Sequence, residues 1–268
     1  MARLRIDPGL DVVVSFEGVS IAMPRHRRRK GSGRRQRLRR LAGDTRREEL
    51  PILDRIDVAI RPGEAVAILG TRQGGRDEFM RLAVGTLIPD SGTIRRREVI
   101  TPMLERSRSL VGTITVRQNA YLLGGLLGMT PARIEERLPW IIDQLAIGKS
   151  FDGYLRTAPR LTRQKLVWLV TMATGARSFA IEDALVVGEP VFERRCWEHV
   201  ESLKAQGVTF LLASDERRVV ERFCDRALVF KDGRIIADTT PGEGLAIMPK
   251  SRSPRLRRAR DEEDEDEF

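Results

Sequence analysis

Apolar and polar positions alternate along the first part of the chain and then change period. Residues 12–14 and 16–21 read as a strand interrupted by a polar break. Order resumes at PIL (51–53), and IDVAI (56–60) alternates in the manner of a strand with one buried face. RPGE (61–64) makes a turn. AVAIL (65–69) is then apolar without interruption, as expected for a strand covered on both faces of a mixed or parallel sheet. GTRQGG (70–75) follows, leading into an amphipathic helix whose inward face carries Phe79, Met80, Leu82, Ala83 and Val84. PDSG (89–92) closes that unit as a turn. From about 113 to 175 the period is helical, punctuated by Gly124-Gly125, Pro131, Pro139 and Pro159, with 167–173 as the best-buried helix. A second apolar strand, FAI (179–181), runs into Glu182-Asp183. Helix (about 196–205), strand (208–213), helix (216–223), strand (227–230), the turn KDG (231–233) and RII (234–236) complete the body. Strands alternating with helices predict an α/β fold with a mixed sheet, interrupted by an inserted helical block.

Composition narrows the class. No segment approaches the roughly 20 apolar residues of a membrane span, and the first residues, MARLRIDPGLDVVV, lack a secretory leader. Cys196 and Cys224 have no metal or disulfide spacing, so reduced thiols in a cytosolic protein are expected. His26 and His199 are isolated and read as ordinary positions; Trp140, Trp168 and Trp197 read as packing. The net charge of +10 changes meaning once it is located. Residues 25–47 carry +11, 250–260 carry +6 and the end DEEDEDEF carries −7, which leaves the folded body near neutral. The arginine-rich segment 25–47 reads as a loop insertion, either simply solvated or suited to anionic lipid headgroups or a partner surface. Nucleic acid is the weaker reading, because no aromatic residues interleave for base stacking. Residues 249–268 read as a disordered tail, basic and then acidic.

The wording of several segments is more specific than their order. AVAILGTRQGGRDEFMRLAVGTLIPDSGTI resembles the phosphate-loop region of ABC transporter ATPases. IEDALVVGEPVFERRCWEHV is similar to the Walker B and D-loop region of subunits that export capsular polysaccharide and O-antigen, and RFCDRALVFKDGRII to the strand and hairpin beyond it. The resemblance covers about residues 10–240. It implies an ABC-type P-loop ATPase fold over 1–248, with 113–175 as the helical subdomain. It also implies ATP and Mg²⁺ as cofactors, a transmembrane permease as partner, and pairing as a homodimer or with another ABC ATPase. The expected location is the cytoplasmic face of the plasma membrane, held peripherally.

The resemblance also shows what has changed. A phosphate loop works through backbone N–H groups at a helix N-terminus, a Lys on the β/γ-phosphates and a hydroxyl on Mg²⁺. Gly70, Gly74 and Gly75 stand in that loop here. Gln73 replaces a usual glycine, Arg76 replaces the Lys, and Asp77 and Glu78 replace the hydroxyl residues. Glu182 then Asp183 stand where the family has an Asp for the metal shell and a catalytic Glu, so each carboxylate's reach differs by one methylene. Asp77 and Glu182 are the candidate Mg²⁺ ligands. Asp215 falls at the switch histidine, and Val111 near the Q-loop glutamine. APRLT (158–162) replaces the signature glycines that let an opposing subunit's backbone approach the nucleotide. The aromatic base-stacker corresponds to Ile21 or Phe16. These substitutions predict an exporter subunit with weak or absent hydrolysis, a pseudo-ATPase. The alternatives are a divergent active ATPase and, behind it, a nucleic-acid module using 25–47.

Overall fold

The computed structural model describes residues 6–24, 49–71, 74–103, 110–182 and 189–249. Two sheets share the chain. A three-stranded antiparallel sheet has the order β2-β1-β4, built from β1 (Val14–Pro24), β2 (Glu49–Ile60) and β4 (Ser91–Arg96). A six-stranded sheet has the order β5-β6-β7-β3-β8-β9. It is formed by β3 (Ala65–Gly70), β5 (Thr101–Met103), β6 (Ser178–Glu182), β7 (Thr209–Ala213), β8 (Arg226–Lys231) and β9 (Arg234–Thr239). Its strands are parallel except for the β8–β9 hairpin.

The uninterrupted apolar runs are explained by two cores, one on each face of this sheet. Ala65, Ala67 and Leu69 of β3 belong to one core and Val66 and Ile68 to the other. Phe210 and Leu212 oppose Leu211 and Ala213 in the same manner on β7. The first core is covered by helices α2 (Val116–Leu126), α3 (Pro131–Leu145), α4 (Thr162–Ala173), α5 (Pro190–Ala205) and α6 (Arg217–Phe223). The second lies between the two sheets around α1 (Arg76–Val84), whose buried side chains include all five apolar residues expected there. Arg96 of β4, itself buried, donates through Nε to the Ala83 carbonyl at 2.8 Å and through Nη2 to Leu82 O. It thereby satisfies carbonyls that the end of α1 leaves orphaned. Helix α7 (Pro241–Ile247) ends the described chain.

Two local expectations differ from what is observed. The polar break at Ser15 pairs regularly with Ala59 and Arg95, and the irregularity of β1 lies a few residues further on. Gly18 (φ 60°) donates its N–H to Asp57 Oδ1 at 2.6 Å, and Arg55 (φ 49°) donates to Ser20 Oγ at 2.9 Å. The register of β1 on β2 shifts there, so alternation fails in the sequence while the ladder continues. Pro139, read as punctuation, lies inside α3. It is exposed, on a face where water can hydrate the carbonyl deprived of its donor.

His199 of α5 lies 5.4 Å from the Trp140 ring and 5.6 Å from the Trp168 ring. Its Nε2 and the Trp168 Nε1 are buried without a hydrogen-bond partner, and burial holds its pKa below the ordinary histidine value. A histidine that charges more readily when unfolded contributes stability above about pH 6.5, which is lost as pH falls through the lowered folded value. The urea midpoint should therefore fall between about pH 6.5 and 5, above most of the carboxylate range. His199→Phe should flatten that slope; an unchanged slope would show that the titration lies elsewhere. Cys196 and Cys224 are free and buried, and burial pushes both thiols up to about 12. Among the described residues no helix is long and apolar enough to cross a membrane.

Candidate functional site

Strands β3, β6 and β7 end side by side, with Glu182 in register with Ala213. The carboxyl ends of parallel strands are where open α/β sheets form their ligand crevices. The glycine loop leaves β3 here on a backbone only glycine accepts at two points. Gly70 has φ 135°, and a Cβ there would sit 2.5 Å from Phe230 O. Gly75 has φ 97° as the N-cap of α1, and a Cβ would meet Leu53 Cδ2 at 2.5 Å. Gly74 donates to Thr71 O at 2.9 Å. Its own carbonyl accepts from Gly233 N–H at 3.1 Å, and Gly233 O accepts from Asp54 N–H at 2.9 Å. The β8–β9 turn, with Asp232 (φ 49°) and Gly233 (φ 79°), thus props the loop from behind. Arg234, at the start of β9, pairs with Asp54 and holds its carboxyl below the usual range. That buttress was not foreseen; the KDG turn was the only trace of it.

Arg76 does not reach outward. It is 4% exposed, with Nε 3.1 Å from Asp77 Oδ1 and Nη2 3.9 Å from Glu182 Oε1. The structure therefore brings together three predicted site residues in one ion group, in which the guanidinium is held by the protein's own carboxylates. Glu78, beside them in the first turn of α1, has a buried Oε2 without a hydrogen-bond partner. Desolvation, and secondarily the Asp77 charge, raise its pKa. Neither position 77 nor 78 offers a hydroxyl. Among the described residues no group of three or more His, Cys, Asp or Glu is placed to hold a metal ion.

The other predicted positions surround this group. Asp215 is exposed just beyond β7, where Ser214 Oγ accepts from Glu216 N–H at 3.3 Å. Val111 is held at both backbone groups by Asn119. Its N–H donates to Asn119 Oδ1 at 2.8 Å, and its carbonyl accepts from Nδ2 at 2.9 Å. Asn119 is fully buried in α2 and was not singled out from the sequence, where one amide in a helix gives no signal. Ile21 and Phe16 are both buried in the core, and Phe16 stacks on Phe79 with ring centroids 4.6 Å apart. Neither is available to stack a base. Residues 158–162 pass from a 3-10 turn (Leu155–Thr157) to the start of α4, which has no side-chain cap. Thr162 is buried there with Oγ1 unpartnered, while Pro159 and Arg160 are exposed. Lys165, one turn on, pairs with Glu189 and lies 5.1 Å from the Phe192 ring, joining α4 to α5. Gln73, Asp183, His26, the segment 25–47 and residues 250–268 lie outside the described residues.

Comparison with known proteins agrees with this architecture. No family model matches the chain. It is 30% identical over 186 residues to the ABC transporter protein AbcA of Aeromonas salmonicida, covering 69% of this chain and 60% of that protein. It is 29% identical over 189 residues to the O-antigen export system ATP-binding protein RfbB of Klebsiella pneumoniae, covering 70% of this chain and 76% of that one. Among solved structures, a dimeric ATP-binding cassette in a post-hydrolysis state with ADP and Pi superposes with a TM-score of 0.64 at 13% identity, over 85% of this chain and 98% of that one. The fold is that of an ABC ATPase cassette. The chain is a homologue of ABC transporter ATP-binding subunits, with relatives named for O-antigen and teichoic acid export.

Proposed function

We propose that this chain is the nucleotide-binding-domain subunit of an ABC exporter for a cell-surface polysaccharide, working with weak or absent ATP hydrolysis. It docks peripherally on a transmembrane permease and pairs through the face that carries its glycine loop and the start of α4. The exporter class is supported by the O-antigen and teichoic acid relatives and by the VGEPVF stretch at 187–192. Pairing is supported by the dimeric solved neighbour.

One observation carries the loss of hydrolysis: Arg76 is buried between Asp77 and Glu182. The residue that should neutralise the β/γ-phosphates is already neutralised. A magnesium triphosphate does not fit this loop, because it would have to displace two carboxylates from one guanidinium and lie against Glu78. Two opposite charges about 4 Å apart attract by about 4 kcal/mol at an effective dielectric near 20, so the exchange is disfavoured before any phosphate contact forms.

Isothermal titration of the purified chain with ATP and Mg²⁺ should give no saturable binding up to about 1 mM, equivalent to a binding free energy weaker than about −4 kcal/mol. Micromolar, magnesium-dependent binding would overturn the reading. The competing reading, a divergent active ATPase, draws on the retained left-handed Gly75 N-cap and the carboxylate of Glu182 at the strand end. It requires steady-state hydrolysis that disappears in Glu182→Gln or Asp183→Asn protein. Co-purification with a permease tests the docking.

A further inference from the structure

Helices α3 and α4 meet α5 through a stack of rings. His199 of α5 lies between two indoles, that of Trp140 on α3 at 5.4 Å and that of Trp168 on α4 at 5.6 Å between centroids. Trp168 also meets Phe192 of α5 edge-on at 5.8 Å. Two polar atoms are enclosed in this joint without a hydrogen-bond partner, His199 Nε2 and Trp168 Nε1. The charged neighbours come from all three helices. On α3, Arg137 and Asp143 stand one turn either side of Trp140; Arg137 leans on Glu136 at 4.0 Å, and Asp143 accepts from Gln144 at 2.9 Å. On α4, Lys165 pairs with Glu189. On α5, Glu198 pairs with Arg194 at 3.9 Å, and Arg195 is exposed. None of them supplies an acceptor to Nε2.

A neutral imidazole tolerates this enclosure, because it carries no charge and has one N–H to place. An imidazolium has two N–H donors, and in the closed joint the one at Nε2 has no acceptor. The faces of two indoles attract a cation, but a buried charged donor left unmet is the larger effect. Nε2 is buried, so water reaches it only if the rings part. We propose that protonation of His199 opens the joint between α5 and the α3–α4 pair while the parallel sheet stays folded. Burial holds the imidazole below its ordinary pKa in the closed joint. Opening hydrates the ring and returns it toward about 6.5. The open form therefore gains as pH falls below about 6.5, and the closed form holds above it. The apolar runs of β3 and β7 contain no titratable side chain and do not share this dependence. The device is independent of whether the glycine loop takes a nucleotide.

The test is amide hydrogen exchange on the full chain at about pH 7.5 and about pH 5.5, expressed as protection factors so that the intrinsic pH dependence of exchange cancels. Amides of α3 and α4 around Trp140 and Trp168 should lose protection at least about fivefold at the lower pH, while those of β3 and β7 change by less than about twofold. The His199→Phe chain, which keeps a ring but cannot take the proton, should show no such loss. His199→Gln, equally unable to charge, replaces it if circular dichroism shows that the phenylalanine disturbs the fold. Protection in α3 and α4 that ignores pH overturns the proposal. So does a loss that persists in the uncharged variant, which would place the titrating group elsewhere. A loss shared equally by β3 and β7 overturns it as well, because the whole domain would then be yielding rather than the joint.

Discussion

Restoring an ordinary phosphate loop through Arg76→Lys, Asp77→Ser and Glu78→Thr together is expected to raise the affinity for Mg-ATP by about ten- to a hundredfold, or about 1.4–3 kcal/mol. Two physical changes contribute. The first turn of α1 loses two carboxylates that now sit at the positive end of the helix dipole, where a phosphate would otherwise bind. The cation at 76 loses Asp77, its nearer carboxylate at 3.1 Å, while the longer contact to Glu182 stays. At both described ends of the loop, Gly70 and Gly75 already hold positive-φ conformations that the substitutions leave untouched. Titration of the triple variant beside the wild type is the measurement. Equal affinities in the two proteins would mean that these three side chains do not decide nucleotide capture.

The largest stability effect is expected at Phe79. Its ring is fully buried, 4.6 Å from the Phe16 centroid and 5.0 Å from that of Phe230. It thus joins the antiparallel sheet, α1 and the parallel sheet in one contact. Phe79→Ala removes most of that ring from a site closed on three sides by separate elements, which cannot collapse together to fill the void. A loss of about 3–5 kcal/mol in unfolding free energy is expected, read as a lower urea midpoint at unchanged m-value. A loss below about 1 kcal/mol would show that the sheets repack without it.

Much of this fold could be read from the chain because its signals are local. AVAIL reads as a doubly covered strand, and its residues divide alternately between two cores. The amphipathic pattern after GTRQGG named the buried face of α1 residue by residue. What the sequence concealed depends on partners distant along the chain. The irregularity of β1 is met across the ladder by groups 35 and 39 residues away, Ser20 by Arg55 and Gly18 by Asp57. The prop behind the glycine loop needs Gly233 beside Gly74. At the site, the change of residue type at 76–78 was plain. The direction of the Arg76 side chain was not, because sequence records that a cation and two acids are present without recording which holds which. The candidate base-stackers failed for the same reason: an aromatic residue in a strand has two faces to choose from, and Phe16 points to the core.

Gly74 of the glycine loop hangs from main-chain groups, Thr71 O and the hairpin Gly233, and that glycine from Asp54 N–H. Evolutionary drift at positions 76–78 could therefore dismantle an enzyme's chemistry while the main-chain supports of Gly74 and Gly233 stay as they are.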